Sequence, residues 1–301
     1  MNNPPTLQNM ASSNEEIYGI PTMRIKSQEE QAIIAAQGAQ VLSWTDPQGR
    51  ERLYLSPQTL HLDPAQGNKS FGPAIRGGVP VCFPQFSDRG PLMKHGFVRS
   101  RIWDTADGSE LSTADSASSS LFRFADDEGT RAHWPHCFNI QLHAEIGQGQ
   151  LRIRLQVDNP GDAPFSFTVA LHTYLRVADI RQTSLFGLQG VMFEDATKGM
   201  QKSVQQEEAL QIPDETDRVY LNPPEKLSLH EGGKPSLIIE QQGFFDTVVW
   251  NPGPEKARAL PDFPDGDWLH MLCVEAACAA RPVTLQPGES WTGSQVFTVP
   301  G

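Results

Sequence analysis

Leu151-Arg152-Ile153-Arg154-Leu155-Gln156-Val157-Asp158, followed by Asn159-Pro160-Gly161-Asp162, decides the fold class. Apolar residues fall at every second position, so one face is buried and the other wet, the period of a β-strand. The Asn-Pro-Gly-Asp run cannot continue that pattern and reads as a turn. Phe165-Ser166-Phe167-Thr168-Val169 repeats the alternation, and Ala170 to Leu175 extends it. Further strand-like segments lie on both sides. Upstream they are Met23 to Lys26, Gln31 to Ala36, Val41 to Trp44 and Leu53 to Leu55. Downstream they are Arg218 to Leu221, Lys226 to His230, Ser236 to Glu240, Thr247 to Trp250, His270 to Ala276, Val283 to Leu285 and Gln295 to Val299. Turn signals such as Glu231-Gly232-Gly233-Lys234 and Gln286-Pro287-Gly288-Glu289 separate them. Strands recurring every ~8–12 residues indicate a sandwich or barrel.

Composition agrees. The 301 residues include 25 Gly and 24 Pro, one turn-former in six, ordinary for a strand-rich chain and high for a helical one. Only Glu255 to Leu260 reads as helix, and Ala106 to Ser119 reads as a loop insertion. Residues 1–17 are polar and rich in Pro and Asn, and read as a loose tail. By length the chain matches about two average domains, but all-β domains of ~200–250 residues are common and no linker divides it. One β-sandwich domain over residues 18–301 is expected.

Charge narrows the function. The net charge of −12 argues against a nucleic-acid or anionic-membrane partner. From Lys69 to Arg101 the balance reverses: Lys69, Arg76, Arg89, Lys94, Arg99 and Arg101 face one acid, Asp88, so this segment is +5 and the remainder −17. A basic island in an acidic protein suits a small anionic ligand better than a polyanion. Cys82, Cys137, Cys273 and Cys278 form no C-x-x-C pair and read as buried free thiols of a reducing compartment. The N-terminus carries no apolar signal region or basic transit character, and no apolar run reaches ~18 residues. A cytoplasmic, monomeric protein is expected, with a plastid location left open.

No phosphate-loop or nucleophile-elbow motif is present. His133, His136 and His143 are close in sequence but lack a carboxylate at ligand spacing, so no metal is assigned. His172 on a strand, taken alone, reads as a hydrogen-bonded core residue, the commoner setting of a lone histidine. Glu275 lies among Cys273, Val274, Ala276 and Ala277, and burying a carboxylate without a role is costly.

Five segments carry a family likeness: Ile75 to Phe86 (IRGGVPVCFPQF); Lys94 to Arg99 (KHGFVR); Leu171 to Leu175 (LHTYL); Glu215 to Tyr220 (ETDRVY); and Asp246 to Pro252 with Cys273 to Ala277. In this order and at these intervals the chain resembles the glucose-6-phosphate 1-epimerases of the aldose 1-epimerase superfamily, above all plant-type members, from about residue 20 to 299. The resemblance implies an all-β, galactose-mutarotase-like supersandwich and cofactor-free exchange of α and β anomers of a hexose 6-phosphate. Anomer exchange needs a base for the C1 hydroxyl and an acid for the ring oxygen, one carboxylate and one imidazole facing each other across the sugar. By matching positions Glu275 is the base and His172 the acid, the latter partly protonated with help from a neighbouring carboxylate. His95 matches a second histidine that hydrogen-bonds the sugar, Asp217 a carboxylate for sugar hydroxyls, and Arg76 and Arg99 the phosphate ligands. Lys94 stands where many relatives have Gln, a departure that leaves its role open. Arg89 is a weaker candidate, and Asp246 and Trp250 read as structural. A non-catalytic sugar-phosphate sensor and a mutarotase for free aldoses are the alternatives; the acid–base pair argues against the first, the basic island against the second.

Overall fold

The computed structural model describes residues 14–17, 19–59, 73–105 and 117–301. Most of the expected tail, Lys69 and residues 106–116 of the expected loop lie outside them. Every pairing between named strands is antiparallel among the described residues.

Three sheets form. A four-stranded one runs Asn14–Ile17, Ile20–Ser27, Glu30–Ala35, Gln40–Thr45. An eight-stranded sheet is ordered Gln201–Val204, Met192–Asp195, Thr216–Leu221, Asp246–Asn251, Met271–Leu285, Phe165–Leu171, Val81–Cys82, with Tyr174–Arg176 also paired to Met271–Leu285. In the nine-stranded sheet Gln150–Asp158 lies between Asn139–Gly147 and the central strand Ser290–Thr298. Leu151, Ile153, Leu155 and Val157 are fully buried while Arg152 and Arg154 are exposed, as their alternation requires. Leu142, Leu155, Leu229, Ile239 and Phe297 of this sheet share one apolar core with Leu171, Val249, Val274 and Ala276 of the eight-stranded sheet. Each fully buried large apolar side chain contributes ~1.5–3 kcal/mol, so this shared layer is what holds the sandwich together.

A polar clasp crosses the core. Thr173 Oγ1 donates to Gln295 Oε1 at 2.7 Å, and Gln295 Nε2 donates to the Val274 carbonyl at 3.0 Å. Hairpins close with the turn chemistry their sequence provides. Between Lys226–Glu231 and Lys234–Gln242, Gly232 and Gly233 have φ of +57° and +78°, the two left-handed positions of a tight two-residue turn.

Several expectations need correcting. Ser118 and Ser119 belong to the strand Ser118–Ala125, which pairs along its length with Asn139–Gly147. Asn14–Ile17, the end of the expected tail, pairs with Ile20–Ser27. His270 to Ala276 and Val283 to Leu285 join into one strand, Met271–Leu285, and Leu53 to Leu55 makes only isolated bridges. A second helix, Glu128–His133, starts at a capping box: Asp127 accepts from the Thr130 N–H while Thr130 Oγ1 accepts from the Asp127 N–H. Cys137 is exposed rather than buried.

Candidate active site

Register on the eight-stranded sheet assembles the site. Leu171 pairs with Ala276 and Tyr174 with Cys273, which sets His172 opposite Glu275. Val248 pairs with Glu275 and Val219 with Val248; Trp250 pairs with Cys273 and Asp217 with Trp250. Residues directly opposite in an antiparallel pair share a face. Asp217, Trp250, Cys273 and Tyr174 therefore make one cross-sheet row, and Val219, Val248, Glu275 and His172 the next. Leu171, Val249, Val274 and Ala276, one residue along, point into the core instead. The site is the outer face of a sheet whose inner face is the sandwich core.

Above it lies a cavity of about 880 Å3, in the size range of small-molecule sites. His172, Glu275, Arg76, His95, Arg99, Asp217, Lys94 and Arg89 all line it. So does Trp250, read from sequence as structural; its ring stands edge-on to His172 at 6.1 Å. Asp246 is structural, its carboxylate accepting from the Ala279 and Ala280 N–H groups. Lys256 and Glu194 also line the cavity and carry no sequence signal for it, because only the fold brings their elements to this rim.

The two candidate acid–base side chains are neighbours on one wall. His172 Nδ1 lies 3.4 Å from Glu275 Oε1, with neither His172 Nδ1 nor Glu275 Oε2 making a hydrogen bond. Both groups therefore face the cavity from the same side. Tyr174 stacks on the His172 ring, with centroids 4.8 Å apart and planes 9° from parallel. Burial, reinforced by Asp217, pushes the Glu275 carboxyl well above the ordinary range. Burial and the positive charges of Arg99 and Arg76 push His172 well below the ordinary imidazole value. Both shifts disfavour the charged form, an imidazolium at His172 and a carboxylate at Glu275.

The cations divide by their partners. Arg76 makes a fork to Asp262, with Nε–Oδ2 at 3.1 Å and Nη2–Oδ1 at 3.0 Å, and a further bond to Tyr174 Oη at 3.2 Å. Arg89 pairs with Glu194 at 2.9 Å, Lys256 with Glu215 at 2.7 Å, and the exposed Lys94 lies 3.9 Å from Asp88. Arg99 bonds only to the Lys94 carbonyl at 3.1 Å and, among the described residues, has no carboxylate partner. Arg101 leaves the basic island altogether: it is buried against Asp127 and over the Phe124 ring. Arg218, next to Asp217 in the strand, lies on the other face beside Asp195 and Phe193. Asp217 remains in the cavity, its carboxyl raised by burial.

Because Asp262 is only 8% exposed, Arg76→Ala is expected to strand its carboxylate and cost ~1–3 kcal/mol of stability, discounted from a fully buried pair for partial exposure. Arg99→Ala should leave the melting temperature within ~1 °C, having no such partner to strand. Thermal denaturation of both variants checks the contrast; equal losses would contradict it.

Among the described residues, one trio of metal-ligand type converges: His172, Cys273 and Glu275, with ligand atoms within 4.8 Å of one another. Its apolar setting keeps the Cys273 thiol protonated, which makes it a weak ligand set. His133, His136 and His143 form no such group. No helix of the described residues is long and apolar enough to cross a membrane.

The chain is thus an antiparallel β-sandwich with a buried His–Glu pair at the floor of a cavity lined by arginines and lysines. The sequence model of the aldose 1-epimerase family matches residues 21–298, and the chain belongs to that family. It is 37% identical over 270 residues to a protein of Cenchrus ciliaris provisionally named a glucose-6-phosphate 1-epimerase, covering 87% of this chain and 79% of that one. A crystal structure of a provisionally named mutarotase from Salmonella typhimurium superposes with a TM-score of 0.85 at 28% identity, over 98% of this chain and 95% of that one. A galactose mutarotase related enzyme of Lactobacillus acidophilus shares the fold with a TM-score of 0.70, over 93% and 97% of the two chains, at 16% identity.

Proposed function

We propose that the protein interconverts the α and β anomers of a hexose 6-phosphate by opening and reclosing the sugar ring. Glu275 and His172 move the protons, Arg99 with Arg76 receives the phosphate, and Asp217 and His95 hold sugar oxygens. One observation carries the reading: two buried, titratable groups 3.4 Å apart, each with an atom lacking a hydrogen bond, at the floor of a cavity. An unsatisfied buried polar atom costs ~1–3 kcal/mol, and on two titratable groups beside a cavity such atoms are placed to exchange hydrogen bonds and protons with a bound sugar.

The pair shares one proton. Ring opening takes a proton from the C1 hydroxyl and returns one to the ring oxygen, so the pair ends with the protonation it began with. Closure on the opposite face after rotation about C1–C2 gives the other anomer. For Glu275 to act as base, the shared proton must sit on His172. Beyond burial, the positive charges of Arg99 and Arg76 hold His172 down. A phosphate dianion bound to these arginines offsets that charge and favours the proton on the imidazole. Substrate binding itself primes the acid.

Exchange spectroscopy by NMR on glucose 6-phosphate with purified protein tests the function. The expected result is anomer exchange well above the buffer rate and much slower catalysis with free glucose. Equal acceleration of both sugars would favour a mutarotase for free aldoses. No acceleration with any hexose 6-phosphate would end the proposal.

A further inference from the structure

His95 sits in an unusual backbone setting whose consequence is chemical. Its φ is +65° and that of Gly96 is +68°, two successive left-handed residues. A Cβ on Gly96 would lie 2.1 Å from the Phe83 carbonyl oxygen, so only glycine fits. This tight corner presses His95 against the segment Cys82 to Ser87. The His95 N–H donates to the Ser87 carbonyl at 3.0 Å, and the Ser87 N–H returns a bond to His95 Nδ1 at 3.3 Å. Cys82 Sγ approaches the same nitrogen at 3.1 Å. Phe86 and His172 stand edge-on to the ring at 5.4 and 5.2 Å.

A backbone N–H can only donate. His95 Nδ1 is therefore an acceptor, and a neutral ring must carry its proton on Nε2. Rotating the ring by half a turn would place a carbon against both donors and lose both bonds. Protonating Nδ1 would set two or three hydrogens against one another. The thiol can serve as a donor because complete burial keeps it protonated. Burial opposes a second proton on the ring, and so do the cations that face it, Arg99, Lys94 and Arg76, with the titratable His172 beside them. With Nδ1 turned inward, the Nε2 edge is the one left to the cavity that His95 lines.

We propose that Cys82 and the Ser87 N–H form a tautomer lock that holds His95 as a neutral, fixed Nε2–H donor to the reacting sugar. Cys82 is thereby a positioning residue, acting through His95 without touching substrate. The lock separates the two histidines of the site: His172 exchanges protons, while His95 gives a hydrogen bond and keeps its proton. The catalytic consequence rests on the anomer-exchange reading; the tautomer itself does not.

Long-range 1H–15N correlation on histidine-labelled protein reads the tautomer directly. In the wild type, His95 should show an unprotonated Nδ1 and a protonated Nε2, unchanged between about pH 5 and 8, the window in which an ordinary histidine titrates. Cys82→Ala should lower kcat about fivefold, with KM within about twofold, and shift the Nδ1 signal, the effect of losing one of two hydrogen bonds. Cys82→Ser restores a donor and should recover kcat to within about twofold of wild type. A wild-type proton on Nδ1, or a Cys82→Ala protein with unchanged signals and unchanged kcat, overturns the lock. A locked His95 in a protein that exchanges no hexose 6-phosphate would instead overturn the functional reading and leave the lock standing.

Discussion

Glu275→Gln is expected to lower kcat for hexose 6-phosphate anomer exchange about 10^3-fold, within the range that a positioned general base contributes. The same change should make the protein more stable. Burial raises the folded-state pKa of Glu275 well above the unfolded value of 4.5. A raised carboxyl binds its proton more tightly when folded, so stability is fully present below the unfolded pKa and declines as pH rises through the window up to the folded pKa. Above that it is flat. Gln carries no such cost. Wild type and variant should therefore match in pH dependence near pH 4 and diverge above it, by up to ~1.4 kcal/mol per pH unit. Parallel melting curves from pH 4 to 8, with exchange kinetics at each pH, check both halves. A variant that keeps a tenth of the wild-type rate removes Glu275 from the chemistry, and identical pH–stability profiles remove the desolvation argument.

The second large effect is on substrate discrimination. Arg99→Ala should lower kcat/KM for glucose 6-phosphate about 10^2-fold, the loss of one or two charge-assisted bonds worth ~1.5–3 kcal/mol each. Activity on free glucose should change less than about threefold, since no phosphate is there to be lost. Arg76 presents a different case. Its fork is committed to Asp262 at 3.0 and 3.1 Å, so its removal combines weaker phosphate binding with lower stability. Equal losses on glucose and glucose 6-phosphate in the Arg99 variant would show that the residue shapes the cavity and does not select the phosphate.

Legibility followed the range of the interactions involved. The alternation in 151–158 predicted a strand, and its burial pattern is strict. Asn139–Gly147 carries the same signal, with Ile140, Leu142, Ala144 and Ile146 on one face, and could have been read equally well. The helix at Glu128–His133 is six residues long, too short for an apolar period to show in the sequence. At the site, all eight candidate side chains line one cavity, although they come from segments spread between residues 76 and 275. Their partners were not legible. Asp262 lies 186 residues from Arg76 and Glu194 105 from Arg89, separations at which no local pattern survives.

The sequence by itself determined the all-β class, the family likeness and the residue types needed to open a sugar ring, because period-two patterning, turn residues and local motifs are properties of neighbouring positions. It also marked a basic island, but not how that charge would be used. Tertiary structure decided that acids from distant strands and loops compensate Arg76 and Arg89, that Arg101 is buried elsewhere, and that Arg99 remains without a carboxylate partner among the described residues. It also decided that His172 and Glu275 stand side by side, and that burial drives both toward neutrality. Charge pairing and desolvation depend on three-dimensional distance and exclusion of water, and neither quantity exists until the sheets have packed.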